Sequence, residues 1–178
     1  MFRIENDTLV CDIASQIDSQ NVQIMQNDIN SWINSDKTFK NIKINMTSLG
    51  GSPNYAISLY HYLINLPYKI ITVNTGFVES SAVIVFLAGE ERFAHKNSTF
   101  LIHEVTKNYN ENTKINFIQM NTELKTLAEI IKMYNSIFNE RTQFAESPLQ
   151  ILDFLVGCSQ LIVSDELAVK HGFIQRII

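Results

Sequence analysis

Two adjacent serines, Ser80 and Ser81, stand where a buried apolar run begins and are the first candidates for chemistry. They follow Gly76, which can take backbone angles closed to residues with a Cβ. This order predicts a strand, a sharp turn at Gly76 and a helix that starts at the serines. A serine there lies among free backbone N–H groups, so it can cap the helix or act as a nucleophile whose oxyanion those groups bind. The turn alone leaves both readings open, and Ser81 would serve equally well as a cap.

Acyl transfer also needs a base that takes the nucleophile's proton and donors for the charge that develops on the carbonyl oxygen. His103 ends an apolar segment and is the candidate base, although a lone histidine at a strand end is usually structural. Gly51 belongs to a Gly-Gly pair after another apolar segment, and its missing side chain would let a substrate backbone approach closely. The alternative for Gly51 is an ordinary turn glycine.

The elements that would position these residues alternate between strands and helices. Strands are predicted at 9–13, 41–46, 69–74, 92–94, 99–103, 161–163 and 173–177, with helices beginning near Asp18, Ser52, Ser80, Thr113, Pro148 and Ser164. This alternation favours an α/β fold with a parallel sheet. We expect a single domain over 1–178, because 178 residues that are 46% hydrophobic suffice for one core but not for two ordinary ones.

Composition argues against several classes of partner. The net charge is −4 and the chain has no run of Lys or Arg, so we expect neither nucleic acid nor an anionic membrane as a partner. No apolar run approaches the ~20 residues of a membrane span, and the N-terminus lacks the layout of a secretory signal, which predicts a cytoplasmic protein. Cys11 and Cys158 are far apart and are expected to be free thiols; we predict no metal site and no cofactor.

Three ordered segments resemble the ClpP family of self-compartmentalising serine peptidases. They read Ile-Asn-Met-Thr-Ser-Leu-Gly-Gly-Ser at 44–52, Gly-Phe-Val-Glu-Ser-Ser at 76–81 and Arg-Phe-Ala to Ile-His at 92–103. The resemblance implies a ClpP/crotonase-type α/β spiral of ββα units with a protruding handle helix, and hydrolysis of peptides or unfolded proteins. It also implies that Ser80 is the nucleophile, that His103 is the base, and that the backbone N–H groups of Gly51 and Ser81 form the oxyanion hole.

The sequence departs from the family where the third catalytic residue is expected. Aligning on Ser164 and Gly172 puts the family's aspartate at Cys158, whose neutral thiol carries no charge to stabilise an imidazolium. A small gap would place Gln160 there instead. The nearest carboxylates are those of Asp153 and Asp165.

Three further departures bear on function. Glu79 replaces the small residue that usually precedes the family's serine, and its carboxylate would disfavour an oxyanion unless it turns away. The family's Gly-rich substrate strand is replaced by residues 104–112, which contain no glycine. Because the first predicted strand begins at Leu9, we expect the segment that forms the family's axial pore loops to be missing, which argues against docking to an AAA+ unfoldase.

Apolar and aromatic residues form a seam along the long predicted helix. They recur at alternating steps of three and four, at Phe117, Met120, Leu124, Leu127, Ile131, Tyr134 and Phe138. Such a seam is longer than one small domain usually needs. Handles of two heptameric rings interlock in the family, so the resemblance implies a homo-oligomer of stacked heptameric rings. The alternative is a helix packed along its own domain.

Three functions fit these observations. The first is a serine endopeptidase that forms an acyl-enzyme on Ser80. The second is a catalytically weak or inactive structural subunit of a ring assembly, which Cys158 and Glu79 favour. The third, an acyl-CoA enzyme that uses the Gly51 oxyanion hole without a nucleophile, ranks last because the chain is short and offers no evident carboxylate pair.

Overall fold

The computed structural model describes residues 2–35, 37–106, 114–144, 150–157 and 159–178. The elements, in chain order, are β1 (Arg3–Glu5), β2 (Thr8–Ile13), α1 (Ser19–Ile33), β3 (Asn41–Ser48), α2 (Pro53–Ile64), β4 (Lys69–Glu79), α3 (Ser81–Phe86), β5 (Glu91–Ala94), β6 (Thr99–Ile102), α4 (Phe117–Arg141), α5 (Ile151–Val156), β7 (Leu161–Ser164), α6 (Asp165–Lys170) and β8 (Arg176–Ile177). No helix in these described ranges is long and apolar enough to cross a membrane.

The strands of the described ranges form one eight-stranded sheet with the main order β1-β2-β3-β4-β5-β8. Strands β2 to β5 pair in parallel, as the alternation of strands and helices predicts. Strand β1 was not predicted, because its three residues contain no apolar run; it pairs antiparallel with β2. Asn6 and Asp7 connect the two strands with φ of 46° and 59°, the backbone that a tight hairpin turn requires.

Strand β4 organises the sheet because it changes neighbours along its length. Its residues 71–74 pair with β5, whereas 77–79 pair with β6. Asn74 is fully buried between the two halves, where its Nδ2 donates to the Thr99 carbonyl at 2.9 Å and its Oδ1 accepts from Gly76 N at 3.0 Å. The strand therefore continues through Gly76, whose φ is not positive, and the predicted sharp turn at Gly76 is wrong.

Two arginines, the buried Arg92 and the half-buried Arg141, tie the short helix α3 to the long helix α4. Arg92 donates to the carbonyl oxygens of Gly89, Arg141, Gly172 and Phe173. Arg141, in turn, donates to the Leu87 and Gly89 carbonyls after α3. Carbonyls at helix C-termini carry partial negative charge, so they stabilise these cations. Burial, followed by the charge of Arg141, lowers the pKa of Arg92 to about 10.

Helix α4 differs between its two halves. In the C-terminal half, Tyr134 and Phe138 are only 4% and 1% exposed and belong to the hydrophobic core. In the N-terminal half, Phe117, Met120 and Leu124 are 79%, 53% and 60% exposed. The predicted seam therefore divides: its first part stands free of the described protein, as expected of a handle, and its last part packs along the domain.

Candidate active site

Ser80 forms the sharp bend between β4 and α3. Its φ of 53° and ψ of −130° are rarely adopted by a residue with a Cβ, and such strain is concentrated at functional sites. The Ser80 N–H donates to the Leu101 carbonyl of β6 at 2.7 Å, which holds the bend. The Ser80 side chain makes no capping hydrogen bond. The serine lies at the start of the helix, as predicted. The chain bends at Ser80 itself, however, and not at Gly76.

The Gly50-Gly51 loop packs against this bend and against Ile17. Ile17 N donates to the Gly50 carbonyl at 2.9 Å, and Ser52 N donates to the Ile17 carbonyl at 2.7 Å. A Cβ on Gly51, whose φ is 152°, would lie 2.4 Å from the Ile17 carbonyl oxygen. A side chain is therefore excluded at Gly51 by backbone packing.

Gly51 and Ser81 line the same cavity as Ser80. Among the described residues, neither the Gly51 nor the Ser81 backbone N–H has a hydrogen-bond acceptor. Free donors beside a nucleophile are what an oxyanion hole requires. The two residues whose N–H groups the resemblance implies as donors thus line one cavity, and neither N–H group has a partner in the described protein.

His103 follows β6 and also lines this cavity. Its Nδ1 lies 2.8 Å from the backbone carbonyl oxygen of Glu104. A carbonyl oxygen can only accept, so this bond places a proton on Nδ1 and, in the neutral ring, leaves the lone pair on Nε2. That tautomer is the one a general base needs. Within the described chain, no hydrogen bond joins the Ser80 hydroxyl to His103.

The β6–β7 ladder indicates which residue comes nearest to His103 from β7. The strands are antiparallel, and their last pair is Ile102 with Leu161. Continuing this register by one residue places Gln160 opposite His103. Among the sequence candidates for a third residue, the register therefore favours Gln160.

The other candidates lie elsewhere. Asp165 Oδ2 accepts a hydrogen bond from Asn97 N at 2.7 Å, so Asp165 lies beyond the opposite end of β6 from His103. Asp153 is exposed in the first turn of α5. Cys158 lies outside the described residues, as do residues 107–112 of the segment that replaces the family's Gly-rich strand.

Glu79 is not among the residues that line the cavity. It pairs with Leu101 in the sheet, and it follows the fully buried Val78. Side chains alternate along a strand, so the Glu79 carboxylate points to the face opposite Val78. The repulsion that a carboxylate next to Ser80 could cause is reduced by this orientation.

The cavity measures about 60 Å³ and is completed by residues that sequence reasoning did not assign to it. Tyr134 and Phe138 reach it from α4, and Leu155 reaches it from α5. Both α4 residues belong to the predicted seam, but the apolar period alone does not say which surface a helix face meets. A groove of about 180 Å³ continues along α4 and shares Pro53 and Thr106 with the cavity.

Two further observations concern other possible sites in the described protein. A larger cavity, of about 360 Å³, lies between β2 and α1 and includes neither Ser80 nor His103 in its lining. Within the described ranges, no group of three or more His, Cys, Asp and Glu residues could hold a metal ion.

The sheet with its partner-changing strand, and the serine presented by its end, are those of a ClpP/crotonase-type α/β fold. The chain belongs to the Clp protease family, whose model, described as Clp protease, matches residues 6–178. Among solved structures it is similar to a mutant of ClpP1 from Listeria monocytogenes, with a TM-score of 0.77 and 20% identity over 95% of this chain and 90% of that one. A search of curated proteins gave no match. The predicted family and fold class are confirmed.

Proposed function

We propose that this protein is a serine endopeptidase that hydrolyses peptides or unfolded proteins through an acyl-enzyme on Ser80. The observation that carries the proposal is the convergence of Ser80, His103 and the free N–H groups of Gly51 and Ser81 on one cavity. Membership of the Clp protease family supports peptide-bond hydrolysis as the reaction class.

In the proposed mechanism, Nε2 of His103 takes the Ser80 hydroxyl proton while Oγ attacks the scissile carbonyl carbon. The N–H groups of Gly51 and Ser81 bind the oxyanion, each donor contributing on the order of 10²–10³ in rate. The imidazolium then protonates the leaving amine, and His103 activates a water that releases the acyl group. Each step uses the chain's own groups and water, so the proposal includes no cofactor.

The Glu104 carbonyl takes over part of the work of a triad carboxylate. It accepts a hydrogen bond from His103 Nδ1 at 2.8 Å, and this bond fixes the Nδ1–H tautomer. A carbonyl dipole stabilises the imidazolium less than a full negative charge would, and neutralising a triad carboxylate costs about 10⁴ in rate. We therefore expect slow turnover from this site, with a Ser80–His103 hydrogen bond that forms when substrate binds.

A fluorophosphonate probe tests the nucleophile directly. We expect the probe to modify Ser80 in the wild type and not in His103→Ala, because the base must take the serine proton. His95→Ala is the matched control, since His95 is exposed and lies outside the cavity, and it should label like the wild type. Peptide mass mapping identifies the labelled residue. Labelling of Ser81 alone, or equal labelling in the His103 variant, would contradict the assignment.

The second candidate function is a catalytically weak or inactive structural subunit. Two observations favour it: the Ser80 hydroxyl makes no hydrogen bond to His103 in the described chain, and the residue that the register brings beside His103 is the neutral Gln160. This alternative predicts no labelling of Ser80 in an assembled oligomer.

For either function we propose a homo-oligomer of stacked heptameric rings. Clp proteases typically form oligomeric rings, and the exposed Phe117, Met120 and Leu124 on α4 would be covered by handles of an opposing ring. The expectation against docking to an AAA+ unfoldase and the expected cytoplasmic location stay predictions from the sequence.

A further inference from the structure

Two hydroxyl groups at the candidate active site have no hydrogen-bond partner. Tyr134 is 4% exposed and Ser81 is 2% exposed, and both line the cavity that contains Ser80 and His103. Neither the Tyr134 hydroxyl nor Ser81 Oγ finds a partner among the described residues. Buried polar groups in native proteins are nearly always paired, so two unpaired hydroxyls on residues that line one cavity call for an explanation.

We propose that the hydroxyls of Tyr134 and Ser81 select a serine or threonine side chain at the residue that supplies the acyl group, immediately before the scissile bond. This inference rests on the proposed function, because that residue's carbonyl must sit between Ser80 and the Gly51 N–H. Its side chain then begins two bonds from the reacting carbon and enters the same cavity.

The size of the cavity favours a small side chain. Its volume of about 60 Å³ has room for about four water-sized groups, because one such group needs roughly 10–15 Å³. This is enough for the atoms of serine or threonine beyond Cα and too little for an aromatic ring.

The chemistry of the walls favours a neutral side chain with a hydroxyl. Ile102, Phe138 and Leu155 are apolar and buried, so an anionic side chain would lose its hydration there, and the carboxylate of the lining residue Glu104 would repel it. Lysine and arginine could pair with Glu104, but their side chains are too long for this volume. Burial raises the pKa of Tyr134, which keeps its hydroxyl protonated at neutral pH. A substrate hydroxyl can donate to one protein hydroxyl and accept from the other. Valine has nearly the same shape as threonine but leaves both protein hydroxyls unpaired.

Product peptides test the inference without requiring turnover. Two acetylated peptides that differ only in a C-terminal Thr or Val would be titrated into the wild-type protein, with binding followed by calorimetry. We expect the Thr peptide to bind about tenfold more tightly, because an unpaired buried hydroxyl weakens binding by roughly this factor. In Tyr134→Phe the preference should fall towards one, mainly through weaker binding of the Thr peptide. Equal affinities in the wild type, an unchanged preference in the variant, or no binding of either peptide would overturn the inference.

Thermal unfolding provides a second readout and a matched control. Tyr134→Phe removes a hydroxyl with no partner in the described protein, so the free variant should unfold at an equal or higher temperature than the wild type. Tyr62→Phe removes a hydroxyl that donates to Asn30 Oδ1 at 2.9 Å. Because Tyr62 does not line the cavity, this variant should unfold at a lower temperature with an unchanged peptide preference. A lower unfolding temperature for Tyr134→Phe would mean that its hydroxyl already has a structural partner, which contradicts the inference. Peptide binding without fluorophosphonate labelling would refute the peptidase while retaining the side-chain preference.

Discussion

At the residue scale, the groups proposed for chemistry were identified from their order in the sequence. Ser80, His103 and Gly51 each have an ordinary structural alternative, and only their joint order resembles a peptidase family. Tyr134 could not be assigned in this way, since its position in an apolar seam is equally compatible with core, cavity and oligomer contact. The strained φ of Ser80 was also hidden, because no residue type signals a positive φ at a serine.

A carboxylate placed beside His103 tests the third position. We expect Gln160→Asp to raise peptidase activity, by several-fold up to roughly the 10⁴ lost when a triad carboxylate is neutralised, because the register brings residue 160 opposite His103. Initial rates on a fluorogenic peptide measure the effect.

The adjacent variant Ser159→Asp adds the same charge one residue away and serves as the control, which should leave the rate unchanged. Cys158→Asp is the variant that the sequence alignment suggests. If peptidase activity rises in Cys158→Asp alone, the third catalytic residue is at position 158.

At the element scale, most helices and strands follow from hydrophobic periodicity, and the errors have physical causes. The long β4 was predicted to break at Gly76, because glycine usually marks a turn, but the buried Asn74 amide bonds the Gly76 N–H and keeps the strand extended. The bend instead occurs where Gly50 packs against Ser80. Contacts between distant segments decide such points, and local sequence does not contain them.

Substitutions of Gly50 and Gly76 test which of the two glycines the bend at Ser80 requires. Gly50→Ala would put a Cβ 2.7 Å from the Glu79 carbonyl oxygen and 2.8 Å from Ser80 Cβ, at a φ of +91°. We expect it to lower the free energy of unfolding by about 1–3 kcal/mol and to abolish labelling of Ser80.

At Gly76 a Cβ would meet nothing closer than Thr47 Oγ1 at 3.7 Å. Gly76→Ala should therefore be tolerated, or stabilise by about 0.4–1 kcal/mol through the unfolded chain. Urea unfolding monitored by circular dichroism measures both variants. Severe destabilisation by Gly76→Ala would indicate that the chain does turn at Gly76, as the sequence suggested.

At the scale of the whole molecule, the periodicity of α4 predicted an apolar seam but not where it stops being core. The C-terminal half of the helix is buried with α3 and α5 nearby, whereas Leu124 and its neighbours towards Phe117 are exposed. The periodicity of a sequence identifies the apolar face of a helix, but it does not show which surface packs against that face. The single domain over 1–178 stays a prediction from chain length and composition.

Assembly is tested in the exposed half of the helix. Leu124→Lys should break a ring-to-ring contact and give smaller species with unchanged circular dichroism, because Leu124 is 60% exposed and contributes little to the fold. Ile131, which packs partly against the core, would confound assembly with unfolding if changed to Lys. Thr122→Lys, exposed on the opposite side of the helix, is the matched control. Sedimentation velocity distinguishes the species, and a monomeric wild type would contradict the ring proposal.

The change of neighbours along β4 also has an evolutionary consequence. The main path of the sheet, through β5 and β8, is separate from the branch formed by β6 and β7. The proposed base and its neighbour Gln160 lie just past the last pair of that branch, Ile102 with Leu161. Substitutions there disturb no pair of the described β6–β7 ladder, so the proposed catalysis could be lost or regained at this end without a change in strand pairing.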